Sequence, residues 1–126
     1  MKEAQLFSYL KDKHYPDLVM SEDKMSIWDC YSAKEFHRIE LKCRSRHYDA
    51  LILERKKYNS MLYKCHSNLD IPIYINSTPK GVYRWNLYKE NPNWINKEIS
   101  SSTEFDNKKK ISKEVAMLEI IDAEIL

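Results

Sequence analysis

A chain of 126 residues with 43% hydrophobic and 32% charged residues has apolar material for one core of ordinary size and too much for a disordered polymer. No apolar run is long enough to span a bilayer, and the opening Met1-Lys2-Glu3-Ala4-Gln5 lacks the apolar core of a secretory signal, so a cytoplasmic setting without a membrane partner is expected. A single glycine excludes a glycine-rich phosphate loop. Three cysteines, Cys30, Cys43 and Cys65, with no Cys-x-x-Cys spacing, predict buried free thiols rather than a disulfide framework.

The net charge of +2 says little alone, but its distribution is uneven. From Lys34 to Lys57 there are eight basic and four acidic residues, so that segment carries +4 and the remainder −2. Positive charge gathered in one segment is the footprint of a polyanion partner, although Arg55 to Lys57 serve equally well as a solvated helix face.

In chain order, Leu6, Phe7 and Leu10 make an apolar stripe that predicts a helix over 2–13, stopped by His14-Tyr15-Pro16. Leu18-Val19-Met20 reads as a short strand, Ser21 to Lys24 as a turn, and Ser26 to Tyr31 as a second strand rich in β-favouring residues. Ser32 to Glu35 links it to a strand over 36–44, which predicts an antiparallel hairpin. Ser45 to Asp49 is a polar break. Asp49 is a suitable N-cap for a helix from Ala50 to about His66, with Leu51, Tyr58, Met61, Leu62 and Cys65 as its core stripe.

Ile71 to Asn76 reads as a buried strand, Thr78-Pro79-Lys80-Gly81 as a turn, and Val82 to Tyr88 as a strand closing a second hairpin. Its alternation sets Tyr83, Trp85 and Leu87 on one face, more in keeping with a core than with a base-stacking platform. Asn91 to Asn107 has no clear period and is expected to be a long surface loop pinned by Trp94 and Ile95. Lys108 to Lys110 is a solvated run, and Ile111 to Leu126 leans towards a strand. A helix between strands predicts one crossover in a mixed sheet, an α/β class. Segment 89–126 is the less regular part.

The strand over 36–44 carries the chemistry. Alternation puts His37, Ile39, Leu41 and Cys43 on one face and Arg38, Glu40, Lys42 and Arg44 on the other. A hairpin turn centred near residues 34 and 35 sets Asp29 opposite Glu40, and opposed residues share a face. Asp29, Glu40 and Lys42 then converge. Two carboxylates directly opposed repel unless something neutralises them, and a divalent ion such as Mg²⁺ or Mn²⁺ does so while keeping positions open for water and phosphate oxygens. A zinc site from Cys43, His47, Cys65 and His66 is disfavoured by the adjacency of the last two, and core packing accounts better for Cys30 and His37 than a nucleophilic pair.

Asp29 followed by Glu40-Leu41-Lys42 resembles the motif of the PD-(D/E)xK nuclease superfamily, which has the restriction-endonuclease-like fold. The likeness spans roughly residues 2 to 88 and is greatest to the small phage and Holliday-junction-resolvase types. It implies a single nuclease-like domain over 1–126, a mixed β-sheet flanked by helices, and an endonuclease acting on DNA phosphodiesters, branched or junction DNA included. It also implies that Asp29, Glu40 and the Leu41 carbonyl hold Mg²⁺ or Mn²⁺, while Lys42 orients the attacking water or stabilises charge on the phosphate. Many such proteins carry a further acid on the first helix, where Glu3 fits. Asp17, in a literal Pro16-Asp17, is an alternative to Asp29. Arg38, Arg44, Arg46, Lys56 and Lys57 are candidates for gripping the DNA backbone on charge and position alone. Resolution of a symmetric junction needs two sites, hence a homodimer. The Lys-, Asn- and Ile-rich composition fits an AT-rich phage or bacterial genome. The alternative on the same fold is a non-catalytic nucleic-acid-binding or inhibitor protein.

Overall fold

A computed structural model of the chain describes residues 1–22, 26–100 and 110–126. Helix α1, Glu3–Lys13, follows the predicted span. Leu6 and Leu10, one turn apart, are buried, with Glu3 in the first turn and Lys11 and Lys13 in the last, each on the side the helix dipole favours. The helix stops as expected: the His14 and Tyr15 N–H groups both donate to the Leu10 carbonyl, at 2.9 and 2.7 Å, before Pro16.

The main sheet runs β1 (Val19–Met20), β2 (Cys30–Ser32), β3 (His37–Cys43), β5 (Ile71–Thr78), β6 (Gly81–Asn86) and β9 (Glu124–Ile125) in spatial order. The β3–β5 pair is parallel and its other pairs are antiparallel, so the chain makes one crossover within a mixed sheet, as the element order predicts. The crossover carries β4 (Ala50–Glu54) and helix α2 (Arg55–Asn68). A second sheet, β4-β8-β7, is completed by β7 (Ile95–Ser100) and β8 (Lys110–Glu119).

Two clusters make the core. Leu6 and Leu10 of α1 pack with Ile39, Leu41, Ile73 and Ile75 on one face of the main sheet. Met61 of α2 packs on the other with Leu51, Leu53, Tyr74, Trp85, Leu87 and Leu118, which also joins the second sheet to the first. Tyr83, Trp85 and Leu87 are core residues, as their alternation suggests. In the β5–β6 turn Thr78 pairs with Gly81, whose φ of +152° is glycine's territory, and Pro79 takes the first central position.

Several expectations are corrected. Residues 50–54 are a strand, and α2 begins at Arg55, so Asp49 caps no helix. Leu51 and Leu53 alternate inward and pair with Leu118 and Ala116, more than sixty positions away, a partner that local periodicity cannot reveal. The expected loop after Asn91 contains β7, which pairs with β8 from Ile95 opposite Val115 to Ser100 opposite Lys110. Strand β2 starts at Cys30, not Ser26, and Phe36 belongs to the hairpin turn with φ of 59°. Cys30 and Cys65 are buried free thiols, but Cys43 is exposed at the end of β3. Part of the Ser21–Lys24 turn, of the 91–107 segment and of the Lys108–Lys110 run lies outside the described residues. Among the described residues no helix is long and apolar enough to cross a membrane.

Candidate active site

The β2–β3 hairpin has the anticipated register. Cys30 lies opposite Ile39, Tyr31 opposite Arg38 and Ser32 opposite His37. One step further sets Asp29 beside Glu40. There the regular ladder gives way: the Asp29 N–H donates to the Ile39 carbonyl at 2.8 Å, and Asp29 Oδ2 accepts from the Leu41 N–H at 2.7 Å. The carboxylate thus takes the place of a strand neighbour. A strand residue directs its N–H and C=O to the same side, so the Leu41 carbonyl faces this edge as well.

The charged face of β3 is not an open surface. Glu40 is only 6% exposed, and a side chain from the first turn of α2 reaches it. Lys42 Nζ lies 3.8 Å from Glu40 Oε1, and Lys57 Nζ, from the first turn of α2, lies 3.5 Å from Oε2. Lys57 also donates to the Ile27 carbonyl at 3.0 Å, in the segment leading to Asp29. Burial and the Asp29 carboxylate push the Glu40 carboxyl up to about 7, against the opposing pull of Lys57 and Lys42. The Glu3 carboxyl, at the start of α1, reaches the same place: burial and then Asp29 raise its pKa, while Lys42 opposes the shift. Glu40 therefore meets two ammonium groups, with the Asp29 carboxylate beside it and Glu3 beside Asp29.

The remaining sequence candidates are distributed as follows. Asp17 is engaged at the hairpin turn, where it accepts from Ser32 Oγ at 2.8 Å and the Lys34 N–H at 2.9 Å, and these hydrogen bonds hold its pKa down. Arg38 pairs with Asp70 at 2.8 Å and is sandwiched between Trp28 and Tyr31, 4.4 and 3.8 Å from their ring centroids. Arg44 donates to Asn76 Oδ1 at 2.9 Å and to the Ile52 carbonyl and Tyr74 Oη, both at 3.0 Å. Both arginines, expected on a phosphate-gripping face, are instead held by partners within the fold. Arg46 and Lys56 stand exposed. His37 bonds Tyr15 Oη at 2.8 Å, and burial raises the Cys30 thiol pKa, so neither is poised as a nucleophile pair. Lys57, a candidate for gripping the DNA backbone on charge alone, reaches Glu40, a contact that local periodicity does not reveal because α2 begins at Arg55 and not at Ala50.

Among the described residues no group of three or more His, Cys, Asp or Glu side chains is gathered to hold an ion by itself. The donors at this edge are two carboxylates and a backbone carbonyl. That hard-oxygen set suits Mg²⁺ or Mn²⁺, which keep waters and take phosphate oxygens for their other positions. The crowding of Asp29 and Glu40, with one carboxyl pushed up to about 7, is the strain a divalent cation would relieve.

The same crowding has a measurable consequence in metal-free protein. The Glu40 carboxyl sits near 7 when folded, against about 4.3 in an unfolded chain. Between those values the folded form holds a proton that the unfolded form has released, so stability falls as pH rises through this window. In EDTA, Glu40→Gln is expected to exceed the wild type in unfolding free energy at pH 8 by on the order of 2 kcal/mol. The gap should narrow as pH falls and close below about pH 4. Equal stabilities at both ends of this range, by thermal or urea unfolding, would contradict the raised carboxyl.

No family model matches the chain, and no curated protein matches it. Among solved structures it is similar to Hjc of Archaeoglobus fulgidus, a Holliday junction resolvase from a hyperthermophilic archaeon, with a TM-score of 0.53 and 13% identity over 94% of this chain and 93% of that one. At this identity the likeness concerns the fold. The chain has the restriction-endonuclease-like fold, as the motif resemblance implies.

Proposed function

We propose that this chain is a divalent-metal-dependent endonuclease that hydrolyses DNA phosphodiester bonds, with branched or junction DNA as its substrate form. The observation that carries the reading is the meeting of Asp29, Glu40 and Lys42 at the β2–β3 edge, on a fold shared with a junction resolvase. Asp29, Glu40 and the Leu41 carbonyl would hold Mg²⁺ or Mn²⁺. The ion would supply positive charge to the phosphate oxygens and acidify a bound water. Lys42, 38% exposed at the side chain, is free on its outer side to orient that water or to meet charge growing on the phosphate. Hydrolysis joins the water oxygen to phosphorus and expels a sugar oxygen, which takes up a proton. Arg46 and Lys56, both exposed, would contact neighbouring phosphates in this reading. A homodimer, a cytoplasmic location and a phage source are part of this reading.

The test is a cleavage assay on plasmid, linear duplex and four-way junction. Cutting with Mg²⁺ or Mn²⁺ and none with EDTA is expected, fastest on the junction. A second reading, a non-catalytic DNA binder on the same fold, draws on the two lysines that engage both Glu40 oxygens. Metal-independent binding with no cleavage of any substrate would favour it and overturn the first.

A further inference from the structure

Lys57 stands apart from the other basic residues proposed for DNA contact. Its neighbours in the first turn of α2, Arg55 and Lys56, are exposed, whereas the Lys57 side chain is 31% exposed and turned inwards. Its ammonium touches two elements at once: Glu40 Oε2 on β3 at 3.5 Å and the Ile27 carbonyl at 3.0 Å, two positions before Asp29. The elements that carry the two candidate carboxylates are thus fastened to each other through one side chain from a third. Lys57 also lines a groove of about 920 Å³ together with Ile27, Lys56, Ser60 and Lys113. It therefore lies between the buried Glu40 carboxylate and a space open to a ligand.

We propose that Lys57 is a second active-site lysine, a positioning residue that fixes the Glu40 carboxylate relative to the Asp29 segment through its simultaneous contacts with Glu40 Oε2 and the Ile27 carbonyl. The two lysines divide the labour. Lys42 shares a strand with Glu40 and moves with it, so it cannot fix Glu40 against Asp29. Lys57 comes from α2 and can. A grip on the DNA backbone would instead leave the ammonium in solvent and contribute chiefly to affinity and its salt dependence. A positioning role places the effect in turnover, because misplacing a catalytic group by about 1 Å costs on the order of 10²-fold.

The inference rests on the nuclease reading for its kinetic arm, and a second arm is independent of it. Lys57→Met is expected to lower single-turnover cleavage by about 10²-fold. DNA affinity, measured in Ca²⁺, and its salt slope should stay near the wild type, and Lys57→Arg should restore much of the rate. The independent arm is the Glu40 carboxyl carbon resonance in metal-free, ¹³C-glutamate-labelled protein, identified by its loss in Glu40→Gln. It should move in Lys57→Met and stay in place in Lys64→Met, whose side chain is exposed on the same helix. A moved resonance in a wild type that cuts no DNA would sustain the contact and sink the nuclease. An unmoved resonance, or a variant whose only defect is a weaker, less salt-sensitive grip on DNA, would overturn the positioning role.

Discussion

Glu40→Gln is expected to lower metal-dependent DNA cleavage by about 10³-fold or more, in a protein that remains folded. Gln matches the volume and shape of Glu, so the packing around it is kept while the charge is removed. Because burial and Asp29 already disfavour that charge, the variant should be at least as stable as the wild type at pH 8 without metal. Lost cleavage then cannot be ascribed to unfolding. Asp29→Asn should act similarly on cleavage, although it also weakens the hydrogen bond from the Leu41 N–H and costs some stability. Asp17→Asn is the informative contrast. Its carboxylate is engaged by Ser32 and Lys34, so cleavage should persist within a few-fold of the wild-type rate. Single-turnover rates on a four-way junction in Mg²⁺ decide the matter. Cutting at wild-type rate by Glu40→Gln, or loss confined to Asp17→Asn, would move the site to another carboxylate.

Arg44→Met is expected to destabilise the protein by about 3 kcal/mol, with little specific effect on DNA affinity. The guanidinium joins the end of β3 to Asn76 and Tyr74 of β5 and to the Ile52 carbonyl of β4. Tyr74 Oη also donates to that carbonyl at 3.0 Å. Asn76 and Tyr74 are buried, so removal of the donor strands acceptors that water reaches poorly. A chain of this size should lose roughly 10 °C in melting temperature. Arg44→Lys should recover only part of this, since an ammonium cannot reproduce the planar fork that reaches several acceptors. Melting curves together with DNA binding at permissive temperature separate the two roles. An Arg44→Met protein that melts like the wild type and binds DNA many-fold more weakly would return Arg44 to the phosphate-gripping surface.

The two hairpins were legible because their signals are local. A polar link after Tyr31 and the Pro79-Lys80-Gly81 turn each fix a register, and alternation carries that register outwards along the strands. This is how Asp29 could be set opposite Glu40 from residue types and spacing, and why Leu6 and Leu10 could be assigned to the buried stripe of α1. Strand β4 and strand β7 were not legible, because each owes its form to β8, far along the chain. Leu51 and Leu53 are compatible with either a helix or a strand on local pattern, and only their pairing with Leu118 and Ala116, respectively, chooses the strand.

That one boundary decided much of the site. A strand over 50–54 delays α2 to Arg55, and the first turn of α2 carries Lys57 to Glu40. Arg38 pairs with Asp70 and Arg44 with Asn76, partners that lie far from them in sequence, and Arg44 also donates to the Ile52 carbonyl. The sequence by itself determined the hairpin register that sets Asp29 opposite Glu40 and puts Lys42 on the same face, with Asp17 left as an alternative, since period-two geometry acts between near neighbours. Only the tertiary structure decided which charges are buried, and so which act on the edge and which brace the fold. Burial depends on what distant segments lay over a strand, and desolvation then sets a buried Glu40 apart from an exposed Lys56 or a turn-bound Asp17.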